Sequence, residues 1–251
     1  LRKNQMGLTN KELEFYETNG YFLKKELVSS QDIARICEEI EDIHHRMAAQ
    51  PTEGIGISWE VYDSEDHPPR IKQLMHSELV SPTLNRLLRS NDVLDILEAM
   101  MGENISLYHS KLLPKAGGDG TAIPWHQDYA YWKNDNNKPV MINCQLAISA
   151  ANLENGCIQF VPGSHNWGLQ EHERKQQTFG VFLLGHYQER EDAVAVEMEP
   201  GDGVFFNALI IHGSAPNNSE NDRLMNTFAY NVTGNGETQC REVLRGIPLE
   251  A

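Results

Sequence analysis

The chain reads as a mainly β protein with flanking helices, built on a double-stranded β-helix (jelly-roll) core. Three observations carry that reading. Capped, amphipathic helical segments crowd the first hundred residues. From Ile105 the apolar pattern changes from helical spacing to alternation. Six further short apolar runs then follow, separated by Gly, Pro and Asn turns. Helices first and many short strands later are the sequence pattern of a jelly roll with helices packed on one side. A length of 251 residues fits a single domain, 1–251, with a sizeable core.

In chain order, Thr9-Asn10-Lys11-Glu12 is a capping box that opens a helix to about Thr18. Asn19-Gly20 ends it, and Tyr21-Phe22-Leu23 reads as a short strand. Ser29-Ser30 open a longer helix through about Ala48, with Ile33, Ile36, Cys37, Ile40 and Ile43 on one apolar stripe; Pro51 stops it. His44 and His45 lie near its end, where imidazolium suits the helix dipole, and are expected at the surface. Residues 51–70 are loop-like and acidic, with Glu53, Glu60, Asp63, Glu65 and Asp66, and are broken by Gly54, Gly56, Pro68 and Pro69. Such a segment is either a lid over a site or a solvated loop. As a lid, its charge would suit a cationic or amine-bearing substrate. Asn91 caps the next helix, whose Val93, Leu94, Ile96, Leu97, Met100 and Met101 are apolar, and Gly102 ends it. Ile105 to Leu113 alternates as a strand, and Pro114 to Gly120 is a turn-rich loop. Strands are then expected at 140–148, 157–161, 193–198, 204–206, 209–211 and 224–232.

The chemistry centres on Pro124-Trp125-His126-Gln127-Asp128-Tyr129. On an extended segment His126 and Asp128 point to one face, because strand side chains alternate with period two. A third ligand has to come from elsewhere, and His212, at the end of Leu209-Ile210-Ile211, is the best candidate. Two histidines and one carboxylate, with the remaining positions open, form the facial triad of non-haem Fe(II) oxygenases. Arg223 follows His212 by eleven residues and opens another apolar run, where its guanidinium could hold a carboxylate in a bidentate fork. Gln127 falls on the opposite face and is assigned no chemistry. Trp125, Tyr129, Tyr131 and Trp132 crowd the ligands. They are read as walls of a substrate pocket, with cation–π faces for a cationic substrate; core packing explains them nearly as well.

His126-x-Asp128, His212 and Arg223, with Glu154-Asn155-Gly156-Cys157-Ile158-Gln159-Phe160-Val161-Pro162-Gly163-Ser164-His165 between them, resemble the phytanoyl-CoA dioxygenase family. The opening from Leu8 to Phe22 is similar to that family's N-terminus, so the resemblance runs over most of the chain. It implies an oxygenase using Fe(II), 2-oxoglutarate and O2, with the metal on His126, Asp128 and His212. Arg223 would receive the distal carboxylate of 2-oxoglutarate, assisted by Ser214. His109 and Lys111 would lie near the cosubstrate, and Lys72 aligns loosely with a family lysine. The implied reaction hydroxylates an unactivated C–H bond and releases succinate and CO2. Related halogenating enzymes lack the carboxylate ligand, so Asp128 favours hydroxylation or another oxidation over halogenation. Desaturation and ring closure remain alternatives within the class. His165 is assigned to a turn, and His67, His76, His172 and His186 to exposed stretches. A zinc hydrolase on the same fold, or a non-catalytic jelly-roll binding module, are the rival readings.

Composition sets limits on partners. The net charge is −15, with 36 Asp and Glu against 21 Lys and Arg, which argues against nucleic acid and anionic membrane. It also weighs against a bulky polyanionic substrate such as a CoA thioester; a small molecule is expected. The four cysteines (Cys37, Cys144, Cys157, Cys240) form no Cys-x-x-Cys pair and read as buried thiols in a reducing, cytoplasmic setting. No signal peptide or membrane-length apolar run is evident. The Asn104, Asn217 and Asn231 sequons are therefore taken as chance matches.

Overall fold

The computed structural model describes residues 7–50, 53–60, 69–133, 136–174, 180–185, 190–236 and 242–246. Thr9 caps α1 (Asn10–Asn19): its hydroxyl accepts from Glu12 N–H, and the Glu12 carboxylate accepts from Thr9 N–H at 2.7 Å. This is the reciprocal box read from sequence. Gly20, at φ +82°, ends the helix in the left-handed region and turns the chain into β1 (Tyr21–Lys24).

Two helices, α2 (Ser30–Ile40) and α3 (Ile43–Ala49), replace the single one expected there. The break has no Gly or Pro; Asp42 takes φ +60° at it. Its cause is tertiary. Glu39, near the end of α2, is held by the Ser81 and Thr83 hydroxyls, and Arg46 donates to Glu39 O at 3.0 Å across the break. Ile36, Ile40, Ile43 and Met47 stay buried on both sides, whereas Cys37, expected on that stripe, is exposed.

β2 (Ile57–Trp59) occupies part of the segment expected to be loop, and β3 (Ile71–Met75) follows. Residues 61–68, which include Asp63, Glu65, Asp66 and His67, lie outside the described residues, so the lid reading falls there. α4 (Pro82–Leu87) and α5 (Asn91–Met101) complete the helical face; Ser90, not Asn91, is the N-cap of α5. β4 (Ile105–Lys115) runs through Pro114, beyond the stop expected after Leu113. Proline is tolerated where the ladder is one-sided, and the register of β3 on β4 ends at Leu112.

The remaining elements are β5 (Ile123–His126), α6 (Tyr129–Trp132), β6 (Ile142–Ala147), β7 (Ile158–Phe160), β8 (His172–Glu173), β9 (Phe182–Leu183), β10 (Val194–Ala195), β11 (Gly203–Asn207), β12 (His212–Ser214), β13 (Arg223–Val232) and β14 (Glu242–Arg245). The strand expected at 209–211 is a turn. Asn207 Oδ1 accepts from Leu209 N at 2.8 Å and Asn207 O from Ile210 N at 3.0 Å, so pairing begins only at His212.

The large sheet runs β1-β11-β6-β13-β4-β3-β2, with β14 also on β4; the small sheet runs β10-β7-β12-β5, and β8 pairs β9. Two antiparallel sheets of interleaved strands make the jelly roll. Alternation on β13 shows how one strand serves two layers. Phe228 and Tyr230 join Ile36, Leu74, Leu84 and Leu97 in a core under the helices. Met225 turns the other way and joins Tyr21, Phe160 and Phe206 between the sheets, where Tyr21 and Phe160 stack at 4.9 Å. No helix among the described residues is long and apolar enough to cross a membrane.

Candidate active site

β5 and β12 are neighbours, with His126 directly opposite His212. Strand register therefore brings together two imidazoles that are far apart in sequence, with ring centroids 4.1 Å apart. Asp128 joins them by a different route from the one expected. β5 ends at His126, and Asp128 adopts φ −58°, ψ −33° at the head of α6. Strand alternation does not apply to it; a helical turn aims the carboxylate instead. Asp128 Oδ1 lies 3.6 Å from His126 Nε2, and Oδ2 lies 3.6 Å from His212 Nε2. The three side chains are buried, and their ligand atoms lie within 4.8 Å of one another.

Each imidazole is oriented through its other nitrogen. His126 Nδ1–H donates to Pro124 O at 2.8 Å and His212 Nδ1–H to Ile210 O at 3.0 Å. That turns both Nε2 atoms toward Asp128, which is how metal-binding histidines are commonly held. Burial, followed by His126, pushes the His212 pKa down to about 3, so the ring is neutral at pH 7. Burial alone would raise the Asp128 pKa; Lys111, His212 and His126 outweigh it and hold the carboxyl well below its usual range. Asn143 Nδ2 donates to Asp128 Oδ2 at 2.7 Å and fixes the carboxylate plane. Two imidazoles held through Nδ1 and one ionised carboxylate are the donor set that Fe(II) takes in a facial triad.

The far end of the same cavity holds two cations. Arg223 faces Lys115 in the β13–β4 register, and they are 5% and 3% exposed. Lys115 Nζ donates to Ser214 Oγ at 2.6 Å and to Ala215 O. Arg223 Nη1 donates to Gly156 O, but its Nε is buried with no partner. Burial pushes the Arg223 pKa down to about 10; burial, then Arg223, holds Lys115 well below its ordinary value. Two buried cations with an unanswered N–H are complementary to an entering carboxylate. The residues thus fit the distal carboxylate of 2-oxoglutarate.

The other expected site residues divide. His109 and Lys111 share the inner face of β4 and line the cavity, with Lys111 Nζ 3.9 Å from Asp128 Oδ1. Lys72 lines it too, but its ammonium is engaged by Glu60 Oε2 at 3.3 Å and by the Thr121 hydroxyl. Glu60 is therefore a buried, paired carboxylate rather than part of a solvated acidic loop. Tyr131 and Trp132 line the cavity; Trp125 and Tyr129 do not. Trp125 packs beside Val161, Leu183 and Ile211, and Tyr129 is buried with its hydroxyl on Asn137 O at 3.0 Å. His172, expected to be exposed, is half-buried and accepts from Gln127 N–H at 3.0 Å.

Sequence reading missed Lys115, Asn143, Gln145 and Thr227. Lys115 was hidden by reading Pro114 as a strand stop. Asn143 and Gln145 did carry a signal: two amides at alternate positions of the apolar run 141–148, the spacing of an inward polar face. Gln145 Nε2 donates to Thr227 Oγ1 at 3.2 Å on that face.

The phytanoyl-CoA dioxygenase family model matches residues 16–225. Bovine peroxisomal phytanoyl-CoA dioxygenase is 30% identical over 238 residues, covering 88% of this chain and 68% of that protein. Methylphosphonate hydroxylase from Gimesia maris is 28% identical over 233 residues, covering 92% and 83%. The crystal structure of EctD from S. alaskensis with 2-oxoglutarate and 5-hydroxyectoine aligns with a TM-score of 0.73 at 19% identity, covering 94% of this chain and 80% of that one. EctD has also been crystallised with bound iron. A family match of that span, meeting a donor set and an anion cradle in one cavity, leads to one conclusion: the chain belongs to the phytanoyl-CoA dioxygenase family and is an iron(II)- and 2-oxoglutarate-dependent oxygenase.

Proposed function

We propose that the chain hydroxylates an unactivated C–H bond of a small polar metabolite, in one catalytic domain spanning the chain. One oxygen atom of O2 would enter the substrate as hydroxyl and the other the succinate formed from 2-oxoglutarate, with release of CO2. The observation that carries this reading is a single cavity with His126, Asp128 and His212 at one end and Arg223, Lys115 and Ser214 at the other. Iron and cosubstrate, when bound, supply the oxidising power; the protein supplies geometry and exclusion of water. Asn143 keeps Asp128 oriented, the Pro124 and Ile210 carbonyls keep both imidazoles presenting Nε2, and Arg223 fixes the far end of the cosubstrate. A hydrolytic metal site would have no use for the buried Arg223–Lys115 pair. Cys144 and Cys157 are buried free thiols, which fits a reducing compartment such as the cytoplasm.

The test is succinate release from 2-oxoglutarate by the Fe(II)-loaded protein across a library of small metabolites. The expected result is oxygen-dependent turnover that His212→Ala abolishes and Arg223→Met severely reduces. Turnover of a substrate without oxygen, indifferent to Arg223→Met, would establish the hydrolytic alternative instead.

A further inference from the structure

The cosubstrate leaves part of the cavity's charge unanswered. Among the described residues lining it, the cations are Lys72, Lys111, Lys115 and Arg223, and the carboxylates are Glu60 and Asp128. That positive excess sits inside a protein whose net charge is −15. Lys72 and Glu60 cancel. Arg223 and Lys115 stand together at the end that suits a distal carboxylate. Iron(II) and 2-oxoglutarate carry equal and opposite charge, so together they leave the balance as it was. Two positive charges therefore remain: one at the Arg223–Lys115 pair, which shares a single distal carboxylate, and one on Lys111.

Lys111 and Lys115 serve different ends of β4. The Lys115 ammonium is bound to Ser214, whereas that of Lys111 is directed at the metal-ligand carboxylate. Its 3.9 Å separation from Asp128 Oδ1 exceeds hydrogen-bond distance. A metal ion on Asp128 would neutralise that carboxylate further. The Lys111 side chain is only 17% exposed, and with the Asp128 charge taken up by a metal ion this largely buried ammonium would lose its answering anion, which is costly. His109, two residues away on the same face, contributes no charge, because burial pushes its pKa down to about 3.

We propose that Lys111 anchors the anionic head group of the substrate, a small carboxylate or phosphonate, with Tyr131 and Trp132 forming the wall against its carbon skeleton. This rests on the oxygenase reading and names the substrate class it takes. It departs from the cationic or amine-bearing substrate expected from the acids of 51–70, of which Glu60 is paired with Lys72 and Asp63, Glu65 and Asp66 lie outside the described residues. The wall is fixed in place: Tyr131 Oη accepts from Val181 N–H at 2.8 Å and donates to Val181 O at 3.0 Å. The cavity measures about 360 Å³, near the lower limit for ligand pockets, and holds the cosubstrate too, so the substrate portion is compact.

Four probes of one chain length test it: butyrate, propylphosphonate, butyramide and butylammonium. Each is titrated calorimetrically, without oxygen, into protein loaded with Fe(II) and 2-oxoglutarate. The expected result is saturable binding of butyrate, propylphosphonate or both, at least tenfold tighter than the amide and the ammonium; the two anions distinguish carboxylate from phosphonate. Lys111→Met should lose that affinity at least tenfold while its dissociation constant for 2-oxoglutarate moves less than threefold. Equal or better binding of the ammonium or amide overturns the proposal, as does the absence of anion binding. So does a Lys111→Met protein that loses 2-oxoglutarate as severely as the anion, because Lys111 would then belong to the cosubstrate. Failure of the wild-type protein to bind 2-oxoglutarate at all would instead refute the oxygenase reading on which this one stands.

Discussion

Gln127 shows how much a residue without chemistry of its own can contribute to a site. It follows directly on the end of β5, and it is fully buried. Its amide donates to Gly168 O at 2.9 Å and Leu209 O at 2.6 Å, and its Oε1 accepts from Gln170 N at 2.7 Å. One side chain thus ties the His126–Asp128 segment to the turn that delivers His212. Gln127→Leu keeps the bulk but leaves buried carbonyls unanswered, a cost of about 1–3 kcal/mol. Iron(II) affinity should fall about 10- to 100-fold, the range for groups that orient ligands; metal titration beside a melting curve separates the two effects. Asn143→Leu should weaken iron by a similar factor through the loss of its bond to Asp128. Wild-type metal affinity in either variant would show that Asp128 and His212 need no such support. Arg223→Met leaves an entering carboxylate without its main partner, a loss of about 2–5 kcal/mol in 2-oxoglutarate binding by calorimetry.

The elements were legible wherever local chemistry decides them. The Thr9 box and the Ser29 cap, whose hydroxyl accepts from Asp32 N at 3.2 Å, could be read directly because a helix end needs a nearby acceptor. Ser29→Ala should destabilise by about 1 kcal/mol. Ile36, wholly buried under α2, should cost about 2–5 kcal/mol as Ile36→Ala, measured by urea denaturation. Exposed Cys37, one position on, should tolerate serine within about 0.5 kcal/mol. What could not be read was decided by distant partners. The α2–α3 break depends on Ser81 and Thr83 holding Glu39, and the extension of β4 past Pro114 depends on a one-sided ladder. The Asn207 turn before His212 was open to reading and was masked by the apolar run Leu209-Ile210-Ile211. At the site, residue type, order and family resemblance singled out His126, Asp128, His212 and Arg223 as candidates, and the structure brings all four to one cavity. The manner of their convergence could not be read, because strand register is a property of the sheet.

Taken whole, the molecule sets a cationic cavity inside an acidic protein and keeps the buried His109 and His212 neutral. Burial, then Lys111, lowers the His109 pKa from 6.5 to about 3. Between those values the unfolded chain holds a proton that the folded chain rejects, so stability falls as pH drops from about 6.5 toward 3. The slope from this one residue approaches about 1.4 kcal/mol per pH unit. His109→Phe should flatten the acid limb of stability against pH, measured by urea denaturation between pH 7 and 5; an unchanged slope would mean His109 is not held neutral. The central claim is that one cavity assembles iron(II) and 2-oxoglutarate from the His126–Asp128–His212 triad and Arg223. Anaerobic calorimetry of 2-oxoglutarate, with and without Fe(II), tests it most directly. The account predicts one equivalent bound, with affinity that depends on the metal, is lost in Asp128→Ala, and drops at least about 30-fold in Arg223→Met. Binding of equal strength without iron, or undiminished in those two variants, would contradict it.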